Sequence, residues 1–156
     1  VLALLPAAAA PAAAAPVAAE LPAIAVVNDR TGSRLRVDGR DYMVFGMNWG
    51  YMPIGQNYTY SLWDQPDEII YAALAREMPL LQEMGVNTIR QYAGIPPRWV
   101  AYIYEHYGIF TILNHTVGRY GLTVDGVWHP VTDYSDPKVR AQLKAEVAAL
   151  VEQFQG

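Results

Sequence analysis

The chain of 156 residues contains no cysteine. That excludes disulfides, thiolate metal sites and cysteine nucleophiles together. It does not by itself argue for a reducing compartment, because a large domain has core enough without staples. Positive charge is also scarce. Lys and Arg number 11 against 15 Asp and Glu, a net charge of −4, so the chain has no basic footprint for nucleic acid. A phosphate loop is missing as well: Gly46, Gly50 and Gly55 do not form GxGxxG after the first strand of the α/β region. No HxH or HExxH pattern occurs, so no metal ion and no other cofactor is expected.

What is present is apolar. The hydrophobic fraction is 53%, raised by an alanine-rich beginning and by strands that are apolar on both faces, as in a buried parallel sheet. Residues 1–20 read VLALLPAAAAPAAAAPVAAE. This resembles the apolar region of a secretory leader followed by small residues, with Val17-Ala18-Ala19 suited to signal peptidase and Glu20 as the first mature residue. The expectation is a leader remnant over 1–19 and an exported protein; an Ala/Pro linker is the plainer alternative. Pro6, Pro11 and Pro16 break the run, which disfavours stable membrane insertion.

Residues 20–40 read as an extension with a short β-hairpin. Ile24 to Asn28 is a strand, Asp29-Arg30-Thr31-Gly32 a turn, Arg34 to Val37 a strand, and Asp38-Gly39 a two-residue hairpin signal. From Asp41 to Gly156 strands and helices alternate. Tyr42 to Met47 is the first strand. Pro66 opens a helix with the stripe Ile70, Leu74, Leu81 and Met84, in which Pro79 predicts a kink or break near Glu77. Val86 to Tyr92 is the second strand. Pro96-Pro97 opens a second helix over Arg98 to Tyr107, which ends at Gly108. Ile109 to Leu113 is the third strand. A loop of some twenty residues leads to Ser135-Asp136-Pro137, a cap and first-turn proline for an amphipathic third helix carrying Val139, Leu143, Val147, Leu150, Val151 and Phe154. This alternation predicts an α/β fold with parallel strands. The specific expectation is a partial (β/α)₈ TIM barrel over 41–156, about its first three βα units, since a whole barrel needs about 250 residues.

The chain has 4 Trp and 11 Tyr, and most of them follow the C-terminal end of a predicted strand. Trp49, Tyr51, Tyr58, Tyr60 and Trp63 follow strand one, Tyr92 closes strand two, and Tyr120, Trp128 and Tyr134 follow strand three. Long loops need small apolar cores of their own, which accounts for some of these rings. Flat rings also cover the C–H faces of sugars while amides, Arg and His bond the hydroxyl rim, so collectively they point to a saccharide site. Three polar positions stand at strand ends by register: Asn48, Arg90, and Asn114 with His115. Arg90 in an apolar strand demands a partner. That partner is either an acid in a structural ion pair or a catalytic carboxylate that Arg90 keeps ionised and aimed. His115 is open to three readings: a sugar contact, a core histidine, or a metal ligand. No convincing pair of carboxyl groups for glycosidic cleavage is found.

The runs VDGRDYMVFGMNWGY, LQEMGVNTIRQYAGIPP and YEHYGIFTILNH resemble the catalytic barrel of glycoside hydrolase family 2 and its clan, including β-1,3-glucanosyltransferases. The resemblance covers roughly Arg34 to Gly156. It implies a retaining O-glycosyl hydrolase acting on an oligo- or polysaccharide, or a transglycosidase. It places both catalytic Glu residues beyond this chain. It carries Asn48, Arg90 and His115 to the first sugar subsite, with Trp49 and Asn114 adjacent. Tyr51, Tyr92 and Trp128 complete the expected substrate-binding set from the aromatic pattern. A glycan-binding protein that lacks the acids is the alternative from another class.

Overall fold

The computed structural model describes residues 22–92 and 94–155. The leader-like run over 1–19 and the expected cleavage point lie outside the described residues. The rest divides in sequence between Met43 and Val44 into two compact units.

The first unit is an antiparallel meander of β1 (Ile24–Asp29), β2 (Gly32–Val37) and β3 (Arg40–Asp41). Ile24 pairs with Val37 and Asp29 with Gly32 across β1 and β2. Asp38 and Gly39 both have positive φ, 50° and 73°, the geometry of a type I′ turn whose twist suits flanking strands. Ion pairs Arg34–Asp29 and Arg36–Asp41 run along the ribbon. Hydrogen bonds from the Thr31 hydroxyl and N–H hold the Asp29 carboxyl below its usual range, and Arg36 does the same for Asp41.

The second unit begins with β4 (Gly46–Asn48) and then α1 (Asp67–Glu83), β5 (Thr88–Gln91), α2 (Pro97–Tyr107) and β6 (Phe110–Leu113). The three strands form a parallel sheet in the order β4-β5-β6. The expected first strand, Tyr42 to Met47, pairs only from Gly46 onward. Ahead of it, the Asn87 side chain takes the Phe45 N–H at 2.9 Å in place of a ladder partner. Helices α1 and α2 cover one sheet face. Ile70, Leu74 and Met78 of α1, Ile89 of β5 and Ile103 of α2 are fully buried there, with Trp99 beside them. The bidentate Arg98–Asp67 pair, at 2.7 and 3.0 Å, straps the two helices together.

Helix α1 runs unbroken through Pro79, against the expected break. Its ring leaves the Ala75 carbonyl without an intrahelical donor. Ala75 is exposed while Met78 and Leu81 on the other side are buried. The freed carbonyl is therefore on the side open to solvent, and core packing holds the axis. Met84, expected in the stripe, is exposed, and Met78 takes its place.

After β6 the chain departs furthest from expectation. The loop contains a hairpin, β7 (Leu122–Val124) and β8 (Val127–His129), and α3 (Pro137–Gln153) follows. Asp125 and Gly126, with φ of 49° and 80°, make its turn. Helix α3 starts at Asp136, whose side chain caps Lys138 N–H at 2.8 Å. Its buried residues Val139 and Leu143 pack on Leu122 and Val124 of the hairpin. Val147 and Val151, expected to share that buried stripe, are exposed.

The partial TIM barrel is therefore corrected. The described residues form a small α/β structure with three helices and three separate sheets, one parallel and two antiparallel, and none of these sheets closes or curls into a barrel. Three strands of three or four residues cannot generate the tilt and stagger that closure requires. The third helix, whose place in a barrel is against the sheet, packs its first buried residues, Val139 and Leu143, on a local hairpin.

Candidate functional site

Strand pleating alternates side chains between faces. In the parallel register Asn48 lies beside Arg90 and Arg90 beside Ile112, while Met47, Ile89 and Thr111 form the next rank. Ile89 faces the helices, so Asn48, Arg90 and Ile112 share the face that the helices leave open. An open groove of about 320 Å³ runs along it, lined by Val44, Gly46, Met47, Thr88 and that rank. Gly46 lets β4 and β5 approach closely there: a Cβ would stand 3.1 Å from the Thr88 carbonyl oxygen.

Arg90 is the centre of the arrangement. It donates through Nη1 to Asn48 Oδ1 at 3.3 Å and through Nη2 to Asn114 Oδ1. The Tyr92 ring lies 5.0 Å from its Cζ, within cation–π range. Asn114 Nδ2 reaches the Tyr92 carbonyl at 3.5 Å. The ends of all three parallel strands thus converge on one guanidinium. Both acceptors are neutral amides. Among the described residues Arg90 forms no ion pair with a carboxylate. Two of its five N–H donors are used by the asparagines, which orient the fork and leave its charge uncompensated.

The other expected residues are placed differently. Trp49 is buried, 6% exposed, in the main core against Trp63, with ring centroids 6.2 Å apart. Its ring is thus packing and not an open platform. Tyr51 packs against Tyr60 at 6.5 Å and on the same core; burial, aided by the Tyr51 phenol, pushes the Tyr60 phenol above its usual range. Trp128 stands on β8, on the hairpin and outside the Arg90 cluster. His115 turns toward α3. Its Nδ1 accepts the Val117 N–H at 3.0 Å, and its Nε2 lies 3.5 Å from Glu146 Oε2. Glu146 in turn accepts from Gln142 Nε2 at 2.9 Å. No group of three His, Cys, Asp or Glu among the described residues is arranged to hold a metal ion.

Two residues matter that the sequence reading passed over. Glu146 is the acid beside His115. Gln91 is buried and donates from Nε2 to the Trp49 carbonyl at 2.7 Å, while its Oε1 accepts from Trp63 Nε1 at 3.3 Å. It ties the loop after β4 to β5, directly behind Asn48 and Arg90. The signal for Gln91 was its place in TIRQY, one residue out of phase with Arg90 and so on the helix-covered face.

No protein-family model matches the chain, and no curated protein or solved structure is significantly similar to it. The likeness to glycoside hydrolase family 2 rests on the three sequence runs alone.

Proposed function

We propose that this protein binds saccharides at the Asn48–Arg90–Asn114 cluster as part of an exported O-glycosyl hydrolase. The observation that carries this reading is the convergence of three strand ends on one oriented guanidinium, beside Tyr92 and an open groove. Amides and a guanidinium supply the fixed hydrogen-bonding groups that a hydroxyl rim needs, and an exposed ring supplies the apolar contact. The GVNTIR run and its neighbours support the same class. Export rests on the leader-like run at the start of the chain. No helix among the described residues is long and apolar enough to cross a membrane.

One observation favours a second reading, glycan binding without cleavage. Among the described residues no carboxyl pair flanks the cluster, and glycosidic cleavage generally takes two. The hydrolase reading assigns both acids to sequence beyond these residues. The test uses the intact protein with a panel of aryl glycosides and polysaccharides, measuring released product and binding separately. Turnover that falls about ten- to hundredfold in Arg90→Ala, the scale of one lost charged hydrogen bond, supports the hydrolase. Binding without turnover selects the second reading. Neither binding nor turnover, or parental turnover in Arg90→Ala, rejects the site.

A further inference from the structure

The β7–β8 hairpin has two unlike faces. Cross-strand pairs Leu122–His129 and Val124–Val127 share one, and Leu122 and Val124 are covered there by α3. The other face carries the directly opposed pair Thr123 and Trp128, both exposed. The hairpin is held from behind: Gln142 Nε2 donates to the Thr123 carbonyl at 3.0 Å, and Lys138 pairs with Asp125 at the turn at 3.0 Å.

The indole has a built seat. Gly121 has φ of +107°, and a Cβ at that position would fall 2.4 Å from Trp128 Cζ2 and 2.6 Å from Cη2. The six-membered edge of the ring therefore rests directly on backbone, which fixes its orientation. Even so, Trp128 remains 59% exposed.

We propose that this face is a second saccharide subsite, beyond the Arg90 cluster, that stacks the apolar side of one pyranose ring on Trp128 and favours longer chains. It rests on the saccharide reading above. The chemistry of the face selects the occupant. A docked helix needs several apolar anchors along a groove, and a lipid surface needs a broad apolar patch. Trp128 offers one flat indole face with Thr123 opposite it in the strand register, which matches one sugar ring with its hydroxyl rim.

The test is equilibrium binding of gluco-, manno- and galacto-oligosaccharides of one to six units to the intact protein, followed by isothermal titration calorimetry. Trp128→Ala should weaken the longest bound oligosaccharide about three- to tenfold, as expected for one aromatic stack, while the shortest bound sugar is unaffected. Trp128→Tyr, which keeps a flat ring, should retain most of the affinity. Gly121→Ala should mimic Trp128→Ala by displacing the ring. If the parent binds and Trp128→Ala keeps the same dependence on chain length, the subsite is rejected and the Arg90 site stands. If the parent binds no saccharide, both fall.

Discussion

Replacing Gln91 by Leu should loosen the loop after β4 from the sheet. Leu is of similar bulk, so little cavity opens. What is lost is the 2.7 Å bond to the buried Trp49 carbonyl and the longer 3.3 Å bond from Trp63 Nε1. An orphaned buried carbonyl costs about 1–3 kcal/mol and a long, partly buried bond about 0.5 kcal/mol. The added apolar burial of Leu returns about 1 kcal/mol. The net loss is about 0.5–2.5 kcal/mol, which at a urea slope of about 2 kcal/mol/M lowers the unfolding midpoint by about 0.3–1.2 M. Gln91→Glu is a sharper probe. It keeps an acceptor for Trp63 but, when ionised, sets a carboxylate against a carbonyl. It should be less stable than Gln91→Leu at neutral pH and recover in acid, where its O–H donates to Trp49. Urea unfolding of the intact protein, followed by tryptophan fluorescence, reads both. A Leu variant within about 0.2 M of the parent would refute the bridging role of Gln91, since the slope makes that less than about 0.5 kcal/mol.

Pro79→Ala should stabilise α1 by about 1–3 kcal/mol, because it restores the bond to Ala75 without disturbing Met78 or Leu81; thermal melting checks this. Asp136→Ala removes the side chain that caps Lys138 N–H and should cost about 1 kcal/mol in the same assay. Asp133 is held below the usual aspartate range chiefly by the Ser135 hydroxyl and N–H. Its folded value lies below its unfolded value, so its stabilisation is complete above the unfolded value of about 3.9 and fades as pH falls through the folded one. The melting difference between the parent and Asp133→Asn should therefore shrink between pH 6 and pH 3; a constant difference would contradict the linkage.

Local chemistry was the legible part of the sequence. Asp38-Gly39, Pro97, Gly108 and Asp136-Pro137 mark turns and helix ends where the structure has them, because each signal is satisfied within a few residues. Asp125-Gly126 carries the same hairpin signal between LTV and VWH. The flanking strands are only three residues each, too short for their alternation to stand out from a loop. The alternation of strands and helices led to the parallel sheet, but alternation does not encode closure, and the barrel did not follow. Pro79 misled because its cost depends on whether Ala75 faces water, which is a tertiary fact. The meeting of Asn48 and Arg90 was legible from period-two alternation and strand ends. The burial of Trp49 and the approach of Glu146 to His115 were not, since both depend on how loop and α3 pack.

The hairpin and α3 touch through residues close in sequence, with Gln142 reaching Thr123 across 19 positions. The parallel sheet must join Asn48 to Arg90 across 42. Chain entropy makes the nearer closure easier, and local contacts form sooner than distant ones. The arm bearing Trp128 should accordingly gain protection from amide exchange earlier in refolding than the strands that gather around Arg90, so that assembly begins at the periphery and the asparagines reach the guanidinium last.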